Sequence, residues 1–176
     1  MREPADVDRI HLFMQRLGNR ARNPARVYFT GGATAVLHGW RASTIDIDVK
    51  FVPERDELFR AIPDLKERLH MNVELASPVD FIPVRTDWEA RSPFIAQEGP
   101  VSFHHFDLAA QALAKIERGH SQDLEDVREL LRRGLVDPAG LSAYFDAIKP
   151  ELYRYPALDP SAFRSRIDQV LAETGR

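Results

Sequence analysis

Two carboxylates one residue apart, Asp46 and Asp48, lie in the alternating run Ile45-Asp46-Ile47-Asp48-Val49-Lys50-Phe51. Strand side chains alternate between faces, so this run predicts a strand with one apolar face and one face carrying both acids. Acids held that close repel unless a cation lies between them, and a hard divalent ion, Mg²⁺ or Mn²⁺, suits all-oxygen donors. Upstream, Arg26 to Thr30 is a short β-rich run that ends at Gly31-Gly32, with thirteen residues between Gly32 and Asp46. A turn without Cβ atoms lets a phosphate approach main-chain N–H groups at a helix start. An acidic pair beside such a turn is equipment for phosphoryl or nucleotidyl transfer.

The elements that must position these residues are legible from periodicity. Val7, Ile10, Phe13, Met14 and Leu17 recur at helical spacing, predicting an amphipathic helix over 4–18 that stops at Gly18. Residues 33–38 read as a short helix of small residues ended by Gly39, and 54–70 as a helix kinked or divided at Pro63. Short strands are expected at 72–75, 79–82 and 101–106, with Trp88, Arg91 and Pro93 in a connection. From Asp107 the chain is helical: 107–118, 121–133, about 139–148 and 160–173, punctuated by Gly134, Pro138, Pro150 and the stretch from Pro156 to Pro160.

The string Val27-Tyr28-Phe29-Thr30-Gly31-Gly32-Ala33-Thr34-Ala35, followed by Arg41, Thr44, Asp46, Ile47 and Asp48, resembles the signature of the polymerase β-like nucleotidyltransferase superfamily. Within it, the chain is most similar to the small bacterial AbiEii-type group, which includes toxins of toxin–antitoxin pairs. Lys115-Ile116-Glu117-Arg118, then Asp123-Leu124-Glu125-Asp126, resembles that group's helical Lys…Arg…Asp-x-x-Asp segment. The resemblance implies an α/β (α+β) nucleotidyltransferase fold: a small mixed β-sheet flanked by helices, with a C-terminal helical extension. The expected division is a core with its N-terminal helix over 1–106 and a helical region over 107–176 packed on that core as a substrate-facing wall.

Asp46 and Asp48 are the expected metal ligands. A two-metal site takes a third carboxylate from a neighbouring strand. Asp80, in Val79-Asp80-Phe81, and Glu74, in Val73-Glu74-Leu75, share the required apolar–acid–apolar pattern. Asp80 is favoured because Phe81-Ile82-Pro83 resembles the small bacterial group. Gly31 and Gly32 would shape the phosphate turn, with Thr30 or Thr34 adding a hydroxyl contact. Many superfamily members carry Ser where Gly32 stands, so no side-chain hydroxyl is available there. By resemblance Arg41 and Thr44 support the acidic strand or the phosphates; they are one residue further apart than in the commonest spelling. Lys115 would meet the triphosphate, or else form an interhelical salt-bridge cluster with Arg118, Asp123 and Asp126, the preferred reading for the two aspartates. Adjacent His104 and His105 point to opposite strand faces and make a poor zinc pair. Trp40, Trp88, Tyr153 and Tyr155 read as packing residues.

The chain has 176 residues, 24 Lys plus Arg against 27 Asp plus Glu, a formal net charge of −3 and no cysteine. Disulfides and thiolate metal sites are therefore excluded, and no global positive field advertises nucleic-acid binding. No apolar run is long enough for a bilayer and the N-terminus does not resemble a signal peptide, so a cytoplasmic protein is expected. The expected activity is transfer of a nucleotide from an NTP to an RNA (tRNA) or protein acceptor. By family resemblance the protein would be a toxin with a cognate antitoxin. The alternatives are a non-catalytic nucleotide-binding or interaction protein that keeps the fold, and an RNA-binding adaptor indifferent to Asp46 and Asp48.

Overall fold

The computed structural model describes residues 1–175. The architecture is the expected one, a mixed five-stranded sheet flanked by helices with a helical C-terminal region. The chain forms two compact units. The first comprises Met1–Ser77 and Ser92–Phe106; the second comprises Pro78–Arg91 and everything from Asp107 onward.

The first unit contains α1 (Val7–Arg20), β1 (Ala25–Thr30), α2 (Gly32–Leu37), β2 (Asp46–Val52), α3 (Asp56–Arg68), β3 (Asn72–Leu75), β4 (Phe94–Glu98) and β5 (Val101–His105). The sheet order is β3-β2-β1-β5-β4. β1 pairs antiparallel with β2 and parallel with β5, β2 pairs parallel with β3, and β4 closes an antiparallel hairpin with β5. One sheet face carries Val27, Phe29, Ile47, Val49, Phe51, Val73, Val101 and Phe103, buried with Phe13, Leu17, Leu58 and Leu65 of α1 and α3. Phe29 packs between Phe13 and Phe103, with ring centroids 6.2 and 5.8 Å away. Each such fully buried side chain contributes about 1.5–3 kcal/mol, so this face fixes the register of β1, β2, β3 and β5.

Four local expectations change. α1 continues past Gly18 to Arg20. Gly18 is a close-approach glycine rather than a stop: a Cβ there would lie 2.4 Å from the Glu98 carbonyl oxygen of β4. α3 runs through Pro63 as one helix, its buried Leu58, Ala61, Ile62 and Leu65 anchored on the sheet. The expected strand at 79–82 is instead a 3₁₀ turn over Pro78–Asp80, and β4 replaces part of the expected connection after Pro93.

The second unit contains α4 (Leu108–Arg118), α5 (Ser121–Arg132), α6 (Pro138–Ile148) and α7 (Pro160–Thr174). α4 is its centre and packs on each of the other three helices. Asp107, Asp137 and Asp159 cap α4, α6 and α7 by accepting from main-chain N–H groups of the first turn. The segment 78–91 is tied to these helices by Tyr155 Oη donating to the Val79 carbonyl at 2.5 Å and by Arg91 Nε donating to the buried Asp107 at 2.8 Å. The Tyr144 hydroxyl accepts from Arg85 N at 3.0 Å. Burial raises the Tyr144 phenol pKa, which keeps that hydroxyl neutral. Among the described residues, no helix is long and apolar enough to cross a membrane.

Candidate functional site

The apolar alternation of β2 buries Ile47, Val49 and Phe51 and turns Asp46, Asp48 and Lys50 to the opposite, half-buried face. Register then decides what joins them. Thr30 of β1 lies opposite Asp48. On the other side, Asn72 lies opposite Asp46 and Glu74 opposite Asp48 in the parallel pair. Paired residues on neighbouring strands share a face, so three carboxylates and an amide form one polar patch. Asn72 Nδ2 donates to Asp46 Oδ1 at 2.5 Å and to Glu74 Oε1 at 3.0 Å.

The glycine turn sits at the end of β1. Gly31 has φ +64°, and a Cβ on it would lie 3.1 Å from Asp48 Oδ2, so turn and acid are immediate neighbours. A Cβ on Gly32 would lie 2.0 Å from Thr44 Oγ1 and 3.2 Å from Arg41 Nη1. A serine at position 32 therefore does not fit this chain while Thr44 stays in place: the Thr44 side chain fills that volume. Thr44 Oγ1 donates to the Asp46 carbonyl at 3.0 Å, and its backbone pairs with Ala5, which moors the loop before the acidic strand. Arg41 and Thr44 thus both approach the turn. Thr34 is directed inward, its hydroxyl 3.0 Å from His105 Nδ1.

His104 and His105 do occupy opposite faces. His105 is buried against Thr34 and stacks on His38 at 4.4 Å, and burial, with His38 and His104 adding to it, pushes its pKa down to about 3. His104 stacks on Tyr28 at 5.3 Å and meets Phe94 edge-on at 5.6 Å. Trp40 packs on His38, whereas Tyr153 is 76% exposed and does not serve as a packing residue.

Asp80 and Lys115 belong to the helical unit. Asp80 ends the 3₁₀ turn rather than occupying a strand. Lys115 Nζ is buried, 2.7 Å from Asp126 Oδ2 and 3.3 Å from Asp123 Oδ1. Arg118 donates twice to Asp123, at 2.7 and 2.6 Å. Burial raises the Asp123 pKa, but the Arg118 hydrogen bonds and the Lys115 charge outweigh it and the net shift is downward.

Among the described residues no three His, Asp or Glu side chains already converge on one point as a metal cage. The donor chemistry of the sheet patch nevertheless fits a hard divalent cation, because half-buried Asp46 and Asp48 and exposed Glu74 present carboxylate oxygens from adjacent strands. Sequence reasoning missed Asn72; its signal was the period of two that places it on the face of Glu74.

Residues 6–168 match the family described as nucleotidyltransferase of unknown function (DUF6036). No curated protein and no solved structure matches the chain. The match covers nearly the whole sequence, and the chain belongs to this nucleotidyltransferase family.

Proposed function

We propose that the protein transfers a nucleotide from an NTP to a hydroxyl or phosphate acceptor, with Asp46, Asp48 and Glu74 as its metal-holding carboxylates. The observation that carries this reading is the register that puts all three acids on one face of adjacent strands, beside the glycine turn. Glu74 is preferred to Asp80 because it shares that sheet face with Asp48. Mg²⁺ or Mn²⁺ bound there would offset phosphate charge and draw the acceptor oxygen toward deprotonation.

The chain's own residues have separate tasks. Gly31 leaves the turn without a side chain beside Asp48, Gly32 makes way for Thr44, and Arg41 offers a guanidinium to the phosphates. Thr44 fixes the loop and, through the Asp46 carbonyl, the start of the acidic strand. In the transfer, the acceptor oxygen bonds to the α-phosphorus, the bond to the β-phosphate bridge breaks, and pyrophosphate leaves. The acceptor proton passes to a carboxylate of the set. Resemblance to the AbiEii-type group favours a tRNA end or a protein as acceptor, and a role as the toxin of a toxin–antitoxin pair in the bacterial cytoplasm.

The test is incubation with each labelled NTP, Mg²⁺ or Mn²⁺, and total bacterial RNA and protein, beside an Asp46→Asn/Asp48→Asn variant. Label on RNA or protein that falls by at least about 100-fold in the variant is the expected result. Equal labelling by both proteins defeats the assignment. Metal-dependent NTP binding by wild type without pyrophosphate release would move the reading to a binding protein that keeps the fold.

A further inference from the structure

Asn72 lies outside the residues whose types suggest chemistry, yet it touches two of the three carboxylates. Its Nδ2 carries two hydrogens, and the two acceptors are Asp46 Oδ1 at 2.5 Å and Glu74 Oε1 at 3.0 Å. Its Oδ1 accepts from the Arg2 guanidinium, which settles which end of the amide faces the acids. Backbone register brings the three side chains to one face. Asn72 is paired with Asp46 across β2–β3 and stands one pleat before Glu74. Of the side chains this size, only an amide supplies two donors without a charge; aspartate would add a third repelling group and leucine would supply none.

We propose that Asn72 is a positioning residue that holds Asp46 and Glu74 together while the metal is absent, doing with two N–H donors what a bound cation does with charge. The proposal rests on the carboxylate set assigned above. Its consequence is a linkage. The amide matters most in the metal-free protein, because a divalent cation attracts both carboxylates more strongly and takes over their restraint. Removing the amide must therefore destabilise the metal-free form more than the metal-bound form. By thermodynamic reciprocity the same difference must appear as tighter metal binding.

The experiment compares melting temperature with and without Mn²⁺, and Mn²⁺ affinity by titration, for wild type, Asn72→Ala and Asn72→Thr. For Asn72→Ala the metal-free Tm should fall by about 3 °C, the loss of about one net hydrogen-bond equivalent in a chain this size. With saturating Mn²⁺ it should return to within about 1 °C of the wild type, and Mn²⁺ affinity should rise by about 5-fold. An equal Tm loss in both states with unchanged affinity means an ordinary structural asparagine and overturns the proposal. Should Asn72→Ala not fold, Asn72→Thr, which suits a strand and supplies at most one donor, carries the test: Mn²⁺ affinity rising by about 3-fold or more supports the proposal, and unchanged or weaker affinity overturns it. A wild type with no Mn²⁺ response at all removes the carboxylate reading itself. A responsive wild type whose variants respond identically removes only the role of Asn72.

Discussion

The sheet and the helical unit each gather carboxylates, and they restrain them in opposite ways. On the helices, buried Asp123 and Asp126 meet Lys115, and Arg118 closes on Asp123 with two hydrogen bonds, so acids and bases are matched inside the unit. On the sheet, half-buried Asp46 and exposed Glu74 share one neutral amide. A carboxylate cluster that carries its own cations is a strut, because its charges are already spent on each other. Carboxylates joined through a neutral donor, as Asp46 and Glu74 are, keep their attraction for a cation from solution. Identical residue types thus yield a structural element in one place and a candidate ligand set in the other, and the partners make the difference.

The largest effect should come from removing the internal cation. Lys115→Ala leaves two buried carboxylates without their shared amine, a change that costs about 3–5 kcal/mol and lowers Tm by about 10 °C. Differential scanning calorimetry checks it, and a loss under about 2 °C would break the contrast between the two clusters. Asp123 adds a pH dependence whose sign is fixed: its pKa is lowered in the folded state, so its stabilisation is present above the ordinary value of 3.8 and disappears as pH falls through the depressed folded value.

A smaller effect is expected where the sheet cluster is moored. Gly32→Ser places a Cβ 2.0 Å from Thr44 Oγ1 and 2.7 Å from Thr44 Cβ, and so pushes on the residue that holds the Asp46 carbonyl. Overpacking of this kind costs about 1–3 kcal/mol, or about 5 °C in Tm. Thr44→Gly in the same chain vacates both positions, so the double variant should recover part of the loss; a simple sum of the two single losses would show that no steric exchange links them.

His105 contributes at a comparable scale, through pH. Its folded pKa of about 3 lies below the ordinary 6.5, so the unfolded chain binds the proton first and stability falls as pH drops from 6.5 toward 3. The slope from this one group approaches about 1.4 kcal/mol per pH unit within that window. His105→Gln should flatten the acid limb of a Tm-versus-pH curve between those limits; an unchanged limb would place the acid sensitivity in other groups.

Much of this organisation was written in periodicities. The alternation of Ile47, Val49 and Phe51 with Asp46 and Asp48 predicted both faces of β2, and the four C-terminal helices followed from their proline and glycine punctuation. The failures have physical reasons. Gly18 looked like a helix stop because close approach to the Glu98 carbonyl is a tertiary fact with no local signature. The edge strand β4 presents a mixed exposure pattern, so it lacks clean alternation; the Gly99-Pro100 turn before β5 was its only mark. The strand expected at 79–82 rested on the apolar–acid–apolar alternation that Asp80 shares with Glu74, but the chain there forms a 3₁₀ turn, and strand register, a long-range property, puts Glu74 beside Asp48. The pairing of Lys115 with both aspartates was one of two readings open from helical spacing, and three-dimensional packing supplies the distances.

The smallest stability effect should fall on the sheet cluster itself. Glu74 is exposed at the end of β3, and Glu74→Gln keeps an oxygen that accepts from Asn72 while it removes one negative charge beside Asp46 and Asp48. Lost attraction and relieved repulsion nearly cancel, so metal-free Tm should move by no more than about 2 °C, as for an ordinary surface substitution. Mn²⁺ affinity, in contrast, should weaken by about 10-fold, because a carboxylate ligand has become a neutral one. Lys115→Ala has the converse signature: a large loss of Tm, with Mn²⁺ affinity measured well below the melting range unchanged. If Glu74→Gln lowers Tm as much as Lys115→Ala does, the sheet carboxylates are struts as well, and the distinction between the two clusters fails.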